Sequence, residues 1–170
     1  MAAGRTFVVN LVLGLALATG AIAAPGDPEE FATKAAAAGL YEVRAAEVAR
    51  QKAQGAETRE FADQMINDHK QANQELWDLA KERNWSLPAA LETKHQEMVD
   101  RLGNLQGVQF DQEYARQQLQ AHQEALTLFE EQSERGTDPQ LKAWANDKLP
   151  TLQNHLEHAR ELDRRGAATR

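Results

Sequence analysis

The stretch Phe61–Ala80, FADQMINDHKQANQELWDLA, places one histidine inside an apolar helical face. Its apolar positions recur at intervals of three and four residues, which is the spacing of one face of an α-helix. His69 lies four residues after Met65 and three before Ala72, and Asp68 is its neighbour. The stretch therefore predicts a helix that carries an imidazole towards the core of a helical bundle.

The same period continues along most of the chain, and no segment alternates as a strand would. Asp27-Pro28-Glu29-Glu30 is typical of a helix start, with an acidic N-cap and proline at the first position. The predicted long helices run from Pro28 to about Ala53, from about Glu57 to about Arg83, from about Phe110 to about Arg135, and from Pro139 to about Arg164. A shorter helix is predicted from about Pro88 to Leu102.

Two of the predicted connections are tight turns. One is at Gly55 and the other at residues 136–139, so each joins two helices into an antiparallel hairpin. The pattern predicts an all-α fold, an antiparallel four-helix bundle with an extra short helix between helices two and three. We expect residues 24–165 to form this bundle and residues 166–170 to be a disordered tail.

Composition limits the classes of function. The 170 residues are 42% hydrophobic, enough for one domain. With 26 acidic and 19 basic residues, the formal charge is -7, which disfavours nucleic acid and anionic lipid as partners. The absence of cysteine excludes disulfides, thiolate metal sites and thiol nucleophiles.

The first 23 residues are typical of an export signal. Arg5 precedes a short apolar run, which ends at the small-residue site Ala21-Ile22-Ala23. We expect cleavage after Ala23, since a cut one residue later would leave Pro25 at the new N-terminus. The run is short for a bilayer span, so no integral membrane span is expected after cleavage. An exported chain without cysteine suggests a periplasmic location.

Each long helix carries a residue able to bind a metal in its apolar face. These residues are Glu42, His69 with Asp68 beside it, His122 and His155. Glu42 lies 13 residues before Gly55 and His69 lies 14 after it, so their heights should agree within about 1.5 Å. His122 and His155 lie at heights that differ by about 4.5 Å around the second turn, and are also expected to be neighbours.

Two interpretations of this set remain open. Carboxylate and imidazole groups converging between helices hold divalent zinc, iron or manganese in other bundles, so Glu42, His69, His122 and His155 are candidate ligands, with Asp68 orienting an imidazole. Alternatively, the histidines donate ring protons to the carboxylates and form a buried polar network without metal. No phosphate-binding loop or nucleophile elbow is present, and no catalytic residue is predicted.

Four motifs resemble a known family. They are Gly39-Leu40-Tyr41-Glu42, Met65-x-x-Asp68-His69, Phe110-Asp111-x-x-Tyr114 followed by His122, and Leu149-Pro150 with His155 five residues later. Together they are similar to the bacterial exported proteins labelled predicted outer membrane protein, or domain of unknown function 4142, grouped with the ferritin-like superfamily. The resemblance covers about residues 31–162.

The resemblance implies a ferritin-like four-helix bundle in the cell envelope without an assigned activity. Di-iron members of that superfamily use two Glu-x-x-His motifs, and neither His69 nor His155 has Glu three residues before it. We therefore expect a periplasmic, non-enzymatic binding or envelope-stress module with a buried Glu/His core, whose partner is an envelope protein or a second copy. The alternative is a divalent-metal protein for storage, sensing or redox protection.

Overall fold

The structure, a computed structural model, describes residues 27–168. This part of the chain is all-α and contains no strand. Its helices are α1 (Pro28–Lys52), α2 (Ala56–Glu82), α3 (Thr93–Gly103), α4 (Gly107–Arg135) and α5 (Pro139–Ala168). The predicted four-helix bundle is confirmed, with α1, α2, α4 and α5 as its long helices and α3 as the extra short one. The predicted export signal, residues 1–23, lies outside the described residues.

Local capping explains where two of the long helices begin. The Asp27 carboxylate accepts hydrogen bonds from the backbone N–H groups of Glu29 at 2.9 Å and Glu30 at 3.3 Å. Asp138 does the same for α5, accepting from the N–H of Leu141 at 2.9 Å. Proline follows each aspartate, where its missing N–H has no intrahelical acceptor to lose.

Ion pairs at the two ends of the bundle show that α2 and α5 are antiparallel. Arg83, at the end of α2, donates to Asp138 at the start of α5 over 2.7 Å. At the opposite end, Arg165 of α5 donates to Glu57 at the start of α2 over 2.5 Å. The neighbouring helices α2 and α5 therefore run in opposite directions.

The connection between α2 and α4 crosses the whole length of the bundle. Asp111, near the start of α4, accepts from the N–H of Gly55 at 2.8 Å, so α4 begins at the end of the molecule where α1 ends. Since α2 finishes at the other end, α2 and α4 run in the same direction. Residues 83–106 must return the chain from one end to the other, which is the single long crossover known from bundles of this kind.

A helix was predicted from about Pro88 to Leu102. Its start is wrong, because α3 begins only at Thr93. Residues 85–92 are extended or irregular instead. Leu87 is buried in the core cluster at one end of the bundle and Leu91 packs on the cluster at the other. An extended chain spans about 3.3 Å per residue against about 1.5 Å in a helix, so an extended segment covers the length of the bundle in fewer residues.

The core consists of two apolar clusters with a polar layer between them. The cluster near Gly55 includes Tyr41, Phe61, Met65, Phe110, Tyr114 and Leu162. The other includes Phe31, Leu76, Leu126, Phe129, Leu141 and Leu156. Glu42, His122 and His155 are buried between the clusters. The fold therefore places the candidate ligands at mid-height, where all four long helices surround them.

The end of α5 differs from the prediction. The helix was expected to end near Arg164, with a disordered tail from residue 166, but it continues to Ala168. Gln112 of α4 donates to the carbonyl of Gly166 over 2.6 Å, which holds this last turn against the bundle.

Among the helices that the structure describes, none has an apolar stretch long enough to cross a bilayer.

Candidate metal centre

Three histidines from three different helices meet in the polar layer. His69 comes from α2, His122 from α4 and His155 from α5. His122 and His155 are each 1% exposed, and His69 is partly buried. Helical period puts each of them on the inward face of its helix, as the sequence predicted.

The three rings form a nearly equilateral triangle. Their centroids are 5.8 Å apart for His69 and His122, 5.6 Å for His69 and His155, and 5.3 Å for His122 and His155. One ring nitrogen from each residue lies within 4.8 Å of those of the other two. The side chains thus converge on one point between α2, α4 and α5.

Hydrogen bonds on the outer sides of two rings assign their protons. His122 donates from Nδ1 to the backbone carbonyl of Gln118, one turn earlier in α4, over 2.9 Å. His155 donates from Nε2 to the Asp68 carboxylate over 2.9 Å. In a neutral imidazole, the other nitrogen then keeps its lone pair. For His122 this is Nε2, and for His155 it is Nδ1.

The inner nitrogens have no hydrogen-bond partner among the described residues. They are His69 Nε2, His122 Nε2 and His155 Nδ1, and each is fully buried. A buried polar atom without a partner is destabilising by about 1–3 kcal/mol. Three such atoms, on rings whose centroids are 5.3–5.8 Å apart, are the arrangement expected when the lone pairs serve a bound cation.

Burial keeps all three imidazoles neutral. It lowers the pKa of His69 well below its ordinary value, and the neighbouring His122 and His155 add to the effect. Burial lowers the pKa of His122 to about 4. It also lowers the pKa of His155, although Asp68 opposes the shift. Neutral imidazole is the form that binds metals, so the site is ready to do so at neutral pH.

Glu42 lies beside this group of three histidines. Its Oε1 is 3.8 Å from His122 Nδ1, which is too long for a hydrogen bond, and that nitrogen already donates to Gln118. Burial raises the pKa of Glu42 to about 8. The predicted pairing of Glu42 with His69, and its role as a ligand, stay predictions.

The dimensions of the site fit a metal ion after a small contraction. Ligand nitrogens about 2.0–2.1 Å from zinc in a tetrahedral site are about 3.3 Å from one another. The separations within 4.8 Å must therefore shorten by about 1.5 Å at most. Asp68 and the Gln118 carbonyl would then support two of the ligands from behind, as carboxylates and carbonyls commonly do.

The two remaining histidines lie outside this group. His95 of α3 stacks on the Tyr41 ring, with centroids 4.9 Å apart, and its Nδ1 is 3.2 Å from Glu92. The Glu92-x-x-His95 sequence therefore makes only a local contact at the start of α3. His158 of α5 packs against Phe61, with ring centroids 4.6 Å apart.

Sequence reasoning missed two buried glutamines in α4. Gln117 accepts a hydrogen bond from the Tyr41 hydroxyl over 2.9 Å, and the backbone of Gln118 orients His122. Both side chains are at most 1% exposed. The helical period does put Gln118 four residues before His122, but a glutamine is more often at the surface, so the period alone did not single it out.

Solved structures share this fold. CopM in the Cu(II)-bound form matches with a TM-score of 0.70 at 20% identity, covering 81% of this chain and 96% of CopM. CopM in the Ag-bound form, obtained by co-crystallization, matches with a TM-score of 0.66 at 21% identity, covering 79% and 93%. At these identities the likeness concerns the fold alone.

No curated protein matches the chain by sequence. The family described as domain of unknown function DUF4142 matches residues 16–162, a range that includes the first hairpin, the crossover, most of the second hairpin and all three histidines of the centre. This agrees with the resemblance of the four motifs. The chain belongs to the DUF4142 family.

Proposed function

We propose that this protein binds one copper ion through His69 Nε2, His122 Nε2 and His155 Nδ1. The observation that carries the proposal is the convergence of three buried nitrogens without hydrogen-bond partners, from three neutral imidazoles. Asp68 and the Gln118 carbonyl hold two of these rings by their other nitrogens. The function is binding, and no catalytic step is assigned.

The donor set favours copper over the harder metals. Imidazole nitrogen suits copper and zinc, whereas manganese prefers oxygen, and the group contains three nitrogens and no carboxylate. Copper(II) stands above zinc and iron(II) in the general order of affinities. The Cu(II)-bound and Ag-bound forms of CopM, which has the same fold, support this choice.

A polar network without metal is less consistent with the geometry. Such a network would be stable because each buried nitrogen finds a partner. Here the outer nitrogens of His122 and His155 find one, while His122 Nε2, His155 Nδ1 and His69 Nε2 have none among the described residues. The set therefore favours an ion at the centre over a purely structural role.

The experiment is a metal titration of protein purified without added metal. We expect one equivalent of Cu(II) to bind, with electron paramagnetic resonance showing nitrogen coupling from imidazoles. Zn(II) should compete weakly, and Fe(II) and Mn(II) should not displace copper. His122→Gln should weaken copper binding by at least about tenfold, because it removes one of three ligands.

His158→Gln is the matched control, since it changes a histidine of α5 outside the group. It should bind copper as the unaltered protein does. The proposal is refuted if the unaltered chain binds no copper. It is also refuted if a triple variant, His69→Gln with His122→Gln and His155→Gln, binds copper as the unaltered chain does. Circular dichroism of each variant separates loss of a ligand from loss of fold.

We also propose that the protein works outside the cytoplasm. The support is the sequence of residues 1–23, with Arg5, an apolar run and a small-residue site. Mass spectrometry of the protein recovered from the cell envelope should give a chain that begins at Ala24. A full-length chain recovered only from the cytoplasm would contradict this.

A further inference from the structure

We infer that a pocket between α2 and α5 is the entrance to the metal centre, and that a small single-donor ligand, water or an anion, reaches the bound metal through it. The inference rests on the proposed copper site and adds its route of access. The pocket has a volume of about 100 Å³. Among the residues that line it are Asp68, His69 and Ala72 of α2, and Lys148, Thr151 and His155 of α5.

The pocket touches two of the three ligands. His69 and His155 line it, and His122 does not, so it approaches the centre from the side of α2 and α5. His69 is the one ligand that is partly exposed, while His122 and His155 are buried. The surface therefore comes nearest to the centre at His69, and a ligand passes the last step to the buried nitrogens only when the side chains between α2 and α5 move.

Helix packing also points to this side. Helices joined in a hairpin, α1 with α2 and α4 with α5, contact each other along most of their length, whereas α2 and α5 make far fewer contacts. Pro150 lies within α5 beside the pocket, and it has no N–H to donate to the carbonyl one turn earlier. The seam between α2 and α5 is therefore a place where the core opens without breaking a hairpin.

The charges at the mouth suit a cation. The Asp68 side chain is 37% exposed and also accepts a hydrogen bond from His155. One carboxylate is therefore in contact both with solvent and with a proposed metal ligand. The ammonium of Lys148 is compensated by Glu75 at 2.7 Å and by Asp147 at 3.0 Å. The mouth is acidic in sum and attracts a metal ion before the imidazoles bind it.

The size of the pocket limits which molecules can reach the metal. A volume of about 100 Å³ exceeds the ~10–15 Å³ that one water needs and is too small for a substrate of ordinary size. Three imidazole ligands leave one position of a four-coordinate ion open, so water or a small anion that enters the pocket completes the coordination once the ion is in place. Azide is a suitable probe, since it binds through one terminal nitrogen.

Two measurements on the full chain test this. Azide added to the copper-loaded protein should produce an azide-to-copper charge-transfer band. Ala72→Leu and Thr151→Leu, which fill the pocket without changing a ligand, should weaken that band. In stopped-flow experiments, the two changes together should slow copper uptake by at least about tenfold, while the final stoichiometry stays at one.

Ala143→Leu is the matched control, since Ala143 is exposed on α5 away from the pocket. It should load copper and bind azide as the unaltered protein does. If the filled variants load as fast and bind azide as well as that control, the inference is wrong although the copper site stands. If the unaltered chain binds no copper, both fail. Thr151→Leu alone serves if the double variant does not fold.

Discussion

Asp68 determines which nitrogen of His155 faces the centre of the bundle. Its carboxylate accepts from Nε2 over 2.9 Å, which leaves Nδ1 for a ligand. We predict that Asp68→Asn weakens copper binding by about 10–100-fold, because the amide holds the ring less firmly and makes the nitrogen less basic. A competitive titration with a copper chelator measures the change.

The control for this prediction is Asp63→Asn, also on α2 but exposed and 3.9 Å from Arg50. It should bind copper with unaltered affinity. Equal affinities for the two variants would mean that Asp68 does not act through His155.

Glu42 makes the stability of the metal-free protein depend on pH. Its pKa rises from an ordinary 4.5 to about 8 on burial. Between these values the unfolded chain releases a proton that the folded chain retains, so the free energy of unfolding falls as the pH rises. Below pH 4.5 both states hold the proton, and above pH 8 the loss is complete.

We predict that Glu42→Gln removes this dependence, because the amide is neutral at every pH. The variant should gain stability relative to the unaltered protein between pH 5 and pH 8, by on the order of a few kcal/mol. Urea unfolding in the presence of a chelator measures the difference. The histidine titrations are common to both proteins and cancel. If the stability gained by Glu42→Gln became smaller as the pH rises, the buried Glu42 carboxylate would be ionised and the prediction would be wrong.

Asp138 joins the start of α5 to the end of α2. It caps Leu141 at 2.9 Å and accepts from Arg83 at 2.7 Å. We predict that Asp138→Ala lowers the free energy of unfolding by about 2 kcal/mol, since both contacts are lost. Asp138→Asn keeps the cap and should lose about half as much. Thermal melting of both variants decides this, and equal losses would assign the whole effect to the ion pair.

Helix ends could be predicted from sequence where the signal is local. Asp27-Pro28 and Asp138-Pro139 each combine a cap with the residue preferred after it, so α1 and α5 begin where predicted. The start of α3 could not be predicted in this way. Pro88 also suits a first helical turn, but the need to cross the bundle kept the chain extended to Glu92. That need arises from tertiary packing.

At the scale of the whole molecule, a copper ion would connect the two hairpins. His69 belongs to the first hairpin, while His122 and His155 belong to the second. We predict that copper at about 100 times its dissociation constant stabilises the fold by about 2.7 kcal/mol, which raises Tm by about 5–10 °C. Calorimetry with and without copper measures this, and His122→Gln should show no rise. A rise that persists in that variant would place the ion elsewhere.

The candidate centre could be predicted in part. Helical period identified His69, His122 and His155 as inward-facing, because period depends only on the local backbone. The ring nitrogen that each histidine presents could not be predicted, since it depends on Asp68 from another helix and on a backbone carbonyl. The contact between Glu42 and His122 depends in the same way on α1 lying beside α4.

The long crossover has a consequence for how the molecule opens. Within residues 27–168, the segment 83–106 is the only covalent link between the two hairpins, and α2 makes few contacts with α5. Without an ion, amide hydrogens of α2 and α5 beside the polar layer should exchange with deuterium faster than those in the two apolar clusters, which both hairpins share. With copper in place, exchange beside the polar layer should slow, because opening α2 from α5 then requires breaking a coordinate bond.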